Sequence, residues 1–455
     1  MTLAGMLGIE PRSTVLETAI LTVVLHPLMY LSHFITFFFV NKQNVVKLNT
    51  MKILMLGWEL PPHNSGGLGV ACLNMARALV QNGAKIDFVV PYSADHPGTS
   101  FMNIVAATQL DPITRYGGAY ESEKITEQII PTLNKTQYVS IRDIQHMYCE
   151  FIDEYLKKNY PDIVHAHDWL TFEAGIIAKK QHDLPLVAHV HATEFDRAGA
   201  HSGNPIIHEV EQEGLMMADK IIAVSEATKR IIHEKYHIPL NKIDVVYNSL
   251  DEGYHNADYH FSKNAYSYLE YMKTLGYTII STVGRFTVQK GLHNLLHAAA
   301  LAIRKNPKLL FILAGDGEER NDLINLSAEL GIGKNVLFTG FIRGKRLRDI
   351  YSISDIFVMS SVSEPFGLTA LEAAHHGDAL ILTKQSGVSE IIWSAMKYDY
   401  WDERKLADEI LAVTNNFPLR QTLQENVKGE YCKISWDQVA KKCLTIYNNV
   451  KHKRI

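Results

Sequence analysis

In the stretch SEPFGLTALEAAHHG, Ser363 to Gly377, two carboxylates, Glu364 and Glu372, flank a Pro-Phe-Gly corner and what reads as the start of a helix. The preceding run DIFVMSS reads as a strand, Pro365 fixes the corner, and the helix opens near Gly367. The N–H groups of Phe366, Gly367, Leu368 and Thr369 then lack intrahelical partners and carry the positive end of the helix dipole. Glu364 is level with this mouth, and Glu372 lies about one turn deeper, roughly 8 Å further at ~1.5 Å per residue. Carboxylates at two levels suit hydroxyls at two levels, such as those of a sugar and a ribose joined by a diphosphate. A plainer role remains open, with Glu364 as a first-turn dipole partner and Glu372 as a surface charge.

A second group of residues suits the diphosphate itself. In VGRFTVQKG, Arg285 and Lys290 follow a strand and Gly291 opens a helix, so a fork of donors, a point charge and free N–H groups converge. A solvated pair of surface cations would look the same. AGDGEE repeats the strand-end logic, with Asp316 and Gly317 in a close turn that also fits an ordinary turn residue. Near the start, GWELPPHNSGGLGV stiffens a strand exit with two prolines and places Gly66, Gly67 and Gly69 before a helix. Such glycines let backbone N–H groups approach an anion, but they also serve tight helix–strand packing, and the spacing is not GxGxxG.

VHAHDW and VAHVHATEFDR place His165, His167, Asp168, His189 and His191 at the ends of two strands, where alternate side chains share a face. These suit the lining of a sugar-sized pocket, with His165 and His189 equally suited to satisfied positions inside the sheet. An HxH pair also begins a metal site, but no third and fourth ligand stands nearby in sequence, so no metal is expected.

The elements that hold these residues alternate. KILMLGW, KIDFVVP, PDIVHAHD, PLVAHVHA and KIIAVS are continuous apolar runs, as expected of buried parallel strands. Helices fit between them, from Gly67 to Gln81, Leu170 to Gln181, Ile206 to Ala218 and Glu226 to Tyr236. The pattern lapses between about Leu250 and Gly276 and restarts with TIISTVGR, KLLFILAGDG, NVLFTG, DIFVMSS and ALILT. Its helices run near Gly291 to Arg304, Glu318 to Leu330, Lys345 to Ser352 and Leu368 to His376, with closing helices at Asp402 to Thr414 and Trp436 to Val450. The expected fold is α/β, two doubly wound parallel-sheet domains facing a cleft onto which the strand ends open.

Composition narrows the function. The chain has 455 residues, 47% of them hydrophobic, and a net charge of −4, enough for two cores and without a basic stripe for nucleic acid. Four scattered cysteines, with no CxxC, fit a reducing cytosol, and no DxD pair seats a divalent metal. The segment from Thr18 to Val40 is long and apolar enough to span a bilayer, although Pro27 and two histidines interrupt it. Because Met51 heads a natural first strand, residues 1–50 read as a dispensable extension or as a signal anchor, with a buried helix as the third alternative. Any membrane contact is expected only through residues 18–40, with the lysines that follow keeping the domain cytosolic.

The ordered set of Glu364 and Glu372, with seven residues between them in an E-x7-E pattern, Arg285 and Lys290 with Gly291, and SGGLG resembles the retaining family 4 glycosyltransferases of the GT-B fold, over about Met51 to Val450. HAHDW and GGLG after a Pro-Pro exit look most like the glycogen and starch synthase branch. The resemblance implies that Arg285 and Lys290 hold the diphosphate of a nucleotide-sugar, Glu372 its ribose, and Glu364 with the backbone from Phe366 to Thr369 the donor sugar. His191 would stand beside the anomeric carbon and Gly67 would approach from the opposite domain. Gly66, Asp316, Gly317 and Phe341 join the donor-binding set, and His167 and Asp168 the acceptor side. The domains implied are residues 51–249 for the acceptor, 250–430 for the nucleotide-sugar, and a helix at 431–455 crossing back. No cofactor is implied; the partners are a nucleotide-sugar donor and a sugar or glucan acceptor. Asn64-Ser65 in place of Lys-Thr before the glycines, and KQSGVSE in place of Ser-Thr-Gly-Gly-Leu, depart from the ADP-glucose synthases and tilt the donor toward UDP-glucose. Rival readings are a nucleotide-sugar 2-epimerase of the same fold and a non-catalytic nucleotide-sugar-binding subunit; a glucan phosphorylase fits less well, since no pyridoxal site is evident.

Overall fold

A computed structural model describes residues 50–64, 66–112, 128–132, 135–199, 201–250 and 266–452. The apolar segment from Thr18 to Val40, Ser65 and most of the polar stretch after Leu250 lie outside the described residues. Among those described, no helix is long and apolar enough to cross a membrane.

The first sheet contains β1 (Lys52–Leu56), β2 (Lys85–Val90), β3 (Asn103–Ala106), β6 (Ile163–His167), β7 (Leu186–Val190), β8 (Lys220–Ala223) and β9 (Ile243–Val245). Between β3 and β6 the chain forms a separate antiparallel hairpin, β4 (Gln128–Thr132) and β5 (Lys135–Val139). The seven strands run in the order β3-β2-β1-β6-β7-β8-β9, every pair parallel. The second sheet contains β10 (Thr278–Val283), β11 (Leu309–Ala314), β12 (Val336–Phe338), β13 (Ile356–Met359), β14 (Ala379–Thr383) and β15 (Met396–Tyr398). Their order is β12-β11-β10-β13-β14-β15, again parallel throughout. Strand order reverses between β1 and β6 and between β10 and β13, the places where open α/β sheets leave a crevice.

The apolar runs fill these strands because both faces are covered by helices: β6, β7, β11, β13 and β14 are buried along their whole length. The elements absent from the periodicity reading include β3, whose NIVA run stays partly open, the β4–β5 hairpin, the short β9 and β15, the short helices Glu194–Arg197 and Ser267–Thr274, and two longer helices. One of those, Ile141–Leu156, did carry a signal. Ser140 and Asp143 form a capping box, and Ile141, Ile144, Tyr148, Ile152 and Leu156 make the buried stripe. The other, Phe417–Tyr431, is capped by the Asn416 side chain and has proline in its first turn.

The last helix, Trp436–His452, returns to the first domain. Trp436, Val439, Ala440, Cys443, Ile446, Tyr447 and Val450 belong to the same apolar core as β1, β6 and the Gly67–Gln81 helix. The Tyr447 hydroxyl meets His165 Nδ1 at 2.8 Å, and Lys451 Nζ reaches Asp162 Oδ1 at 2.6 Å.

Candidate active site

On the second domain, the loop after β10 is folded tightly against the loop after β13. Gly291 has φ +59°, and a Cβ there would lie 2.2 Å from the Ser360 carbonyl oxygen, so only glycine lets the Leu292–Lys305 helix start this close to β13. Ser360 Oγ donates to the Lys290 carbonyl at 2.8 Å and locks the two loops. Lys290 Nζ thereby reaches Glu364 Oε2 at 2.6 Å, and Ser361 Oγ donates to the same oxygen at 2.9 Å. Gly284, Lys290, Ser361, Glu364 and Thr369 line one small cleft. Arg285 is half-buried beside it.

The Leu368–His376 helix starts at this cleft without a side-chain cap, from Gly367 at φ +109°. Its first N–H groups are therefore open to an anion at the mouth. Glu372, one turn in, accepts from the Tyr351 hydroxyl at 2.8 Å. Glu364 is thus paired to a cation and Glu372 to a phenol.

The first domain supplies the facing wall. Gly67 is exposed at the start of the Gly67–Gln81 helix, and a Cβ there would lie 3.4 Å from Leu368 Cδ1. Gly66 is the uncapped residue before that helix. Gly69 has a different reason to be glycine, because a Cβ would lie 2.9 Å from Asn64 Cβ and 3.0 Å from the Glu59 carbonyl oxygen.

Several expected site residues have other surroundings. His167 and Asp168, expected on the acceptor side, are buried, with relative exposures of 0% and 2%. His167 Nδ1 meets His191 Nε2 at 3.0 Å. Asp168, held at φ +58°, accepts from the backbone N–H of His191 at 2.6 Å and of Ala192 at 3.3 Å. Burial pushes its carboxyl up to about 7, against the downward pull of Arg197. His165 and His189 are buried and paired through their ring nitrogens at 3.2 Å, the satisfied-interior alternative. His191 keeps a 7% exposed edge. Asp316 is exposed and accepts from the Gly317 N–H at 2.9 Å, closing its own turn. Gly317 is close-packed, since a Cβ would lie 2.4 Å from the Phe286 carbonyl oxygen. Phe341 is 59% exposed under the Arg343 guanidinium, which reaches across to the carbonyls of Pro62 and Asn64.

Sequence reasoning missed a buried ionic group just beyond His191. Arg197 is held by Glu194 Oε2 at 3.0 Å and by Glu211, while Glu211 also accepts from the Tyr236 hydroxyl. Arg197 donates to the Ala192 carbonyl at 3.1 Å, so this group fixes the loop that carries His191. TEFDR held the signal in its charge density, but Glu211 and Tyr236 arrive from helices too distant in sequence to be paired with it. Two struts between the domains were missed as well. Ser363 Oγ donates to Asp196 Oδ1 at 2.5 Å, and Glu390 accepts from the Glu226 and Ala227 N–H groups at 2.9 and 2.7 Å.

Two family models match the chain: Glycosyltransferase Family 4 over residues 65–254 and Glycosyl transferases group 1 over residues 271–449. An uncharacterized glycosyltransferase of Methanocaldococcus jannaschii is 29% identical over 87% of this chain and 98% of that protein. The glycogen synthase of Mycobacterium tuberculosis is 29% identical over 75% of this chain and 80% of its own length. Among solved structures, sucrose-phosphate synthase from Thermosynechococcus elongatus superposes with a TM-score of 0.71 at 19% identity, covering 88% of this chain and 99% of that one. HepE of Anabaena, solved in complex with UDP-glucose, superposes with a TM-score of 0.62 at 18% identity, covering 87% and 99%. With both halves matched in order and both sheets in place, the chain belongs to the family 4, group 1 glycosyltransferases and has their GT-B fold.

Proposed function

We propose that the protein transfers a hexose, glucose in the first instance, from a nucleoside diphosphate to a hydroxyl of a sugar or glucan, with retention at the anomeric carbon. The observation that carries this reading is the Lys290–Glu364 pair at 2.6 Å, set at an uncapped helix mouth opposite Gly67. In it, a cation and open N–H groups receive the diphosphate while a carboxylate a few ångströms away receives sugar hydroxyls. Arg285 and Lys290 stabilise charge developing on the leaving diphosphate, a task for preorganised donors. The departing phosphate takes the acceptor proton on the same face, so the reading requires no carboxylate nucleophile. No metal is required at the diphosphate, because its charge is met by cations and N–H groups. Residues 51–249 form the acceptor half and residues 250–430 the donor half of this reading. UDP-glucose is the proposed donor on the Asn64-Ser65 departure, and the UDP-glucose complex of HepE, a protein of similar fold, supports it. The free thiols of Cys72, Cys149, Cys432 and Cys443 fit action in a reducing cytosol.

The test is a thermal-shift screen of UDP-, ADP- and GDP-sugars, followed by product mass spectrometry with glycogen and small sugars as acceptors. Stabilisation by a UDP-sugar and a glycosylated product are expected. Free UDP with an epimerised sugar and no need for acceptor would replace the reading with the 2-epimerase one; binding without turnover on any acceptor would leave a non-catalytic subunit.

A further inference from the structure

Directly behind the cleft edge, β6 and β7 stack four imidazoles. Parallel pairing sets His167 opposite His189, and the two-residue period puts His165, His167, His189 and His191 on one face. Neighbouring rings lie 4.2 to 5.3 Å apart. The Gly67–Gln81 helix packs on that face and brings in Cys72, which is 1% exposed. Cys72, His167 and His191 each offer a ligand atom, all within 4.8 Å of one another. The third ligand missing from the local sequence is therefore supplied by the fold.

We propose that Cys72, His167 and His191 form a binding site for a borderline-soft divalent cation, zinc above all, with its fourth position opening toward the cleft. A tetrahedral zinc centre with Zn–N of about 2.0–2.1 Å and Zn–S of about 2.3 Å spaces its ligand atoms by roughly 3.3–3.6 Å, within the 4.8 Å limit of the present spacing. His167 Nε2 is buried and has no hydrogen-bond partner among the described residues, so this ring has a nitrogen to spare. Burial holds His167 and His191 neutral, the form that binds metal. His165, His167 and His189 form a second close set, but both ring nitrogens of His165 are already engaged, by Tyr447 and His189. In the thiol set the His167–His191 contact at 3.0 Å occupies one nitrogen of each ring and leaves His167 Nε2 for the metal. Asp168 fixes the backbone of His191, and the exposed edge of His191 gives the ion its entry. Burial raises the Cys72 thiol, and a bound dication reverses this: the S–H bond breaks, sulfur binds as thiolate and one proton leaves per ion. If His191 contacts the donor sugar, a consequence that rests on the proposed function, zinc at this site competes with the donor.

The test is titration of the untagged, chelator-stripped full chain with cobalt(II) and zinc(II). Expected are one equivalent of tightly bound cobalt, a near-ultraviolet thiolate-to-cobalt band, and a zinc-dependent rise in melting temperature. Cys72→Ala should remove the band and weaken binding by at least about 100-fold, since a lost ligand costs no less than a lost outer-shell partner. Absence of the band and of the melting shift in the unmodified chain overturns the site, whatever the variant does. A band that survives in Cys72→Ala places the ion at Cys149, Cys432 or Cys443 and overturns it too. Binding as expected without inhibition of transfer upholds the site and counts only against His191 as a donor contact.

Discussion

Lys290 Nζ lies 2.6 Å from Glu364 Oε2, and both side chains are mostly buried, at 24% and 13% relative exposure. The carboxylate holds the lysine in place, and in the proposed reaction a diphosphate arriving at the helix mouth competes for the same ammonium. On the proposed function, the pair is preorganised for charge that appears during the reaction. On this ground Lys290→Ala should lower kcat about 10²–10³-fold with a smaller change in donor KM, and Arg285→Ala about the same. Steady-state kinetics against donor concentration decide it. A raised KM with kcat intact would make Lys290 a uniform binding contact.

Gly67 should be replaceable without unfolding but not without loss of function. A Cβ there meets only Leu368, at ordinary contact distance, so the space it guards belongs to the cleft. Gly67→Val should raise the donor KM at least about tenfold, equivalent to ~1.4 kcal/mol, while the melting temperature moves little. Unchanged KM in that variant would put the donor elsewhere.

Glu390 caps the Glu226–Tyr236 helix from the other domain, through two charge-assisted hydrogen bonds to its first N–H groups. Ser225 caps the same helix from its own side, so the helix itself should survive the loss. Glu390→Ala is expected to cost about 1 kcal/mol, the usual size of a lost cap, and to increase protease cleavage between the domains. Denaturant melts and limited proteolysis read the two effects separately; identical digestion patterns would show that Glu390 does not hold the domains together.

Asp378 predicts a pH dependence of stability. It is 1% exposed, neither of its carboxylate oxygens has a hydrogen-bond partner among the described residues, and burial followed by the nearby Asp355 raises its carboxyl well above the ordinary value. The native state then keeps a proton that the unfolded chain releases above about pH 4. Its contribution is favourable below that pH and is lost as pH rises toward the native value. Asp378→Asn removes this dependence, so its stability advantage over the parent should be larger at pH 7.5 than at pH 4.5. Urea midpoints at the two pH values test this, and an advantage that is equal at both would refute it.

The chain itself determined the strands and most of the helices, because continuous apolar runs such as IVHAH and LLFILA are stable only as buried parallel strands between helical layers. It also determined where charged residues stand along those strands. Arg285, Lys290, Gly291 and Glu364 were legible as a group because each follows a strand end, and strand ends of one sheet converge. β3 and β15 escaped because they are short edge strands left partly open, without the continuous apolar run of the buried ones. Pairings between distant segments were beyond reach for the same reason that they matter: packing chooses them. Nothing local links Cys72 to His167, Glu211 to Arg197, or Glu390 to the start of the Glu226–Tyr236 helix, each being set by which helix covers which sheet face. The fold also decided that His167 and Asp168 turn inward. Parallel pairing of β6 with β7 stacks the imidazoles under a covering helix, and the buried Asp168 accepts two backbone N–H groups at its Oδ1.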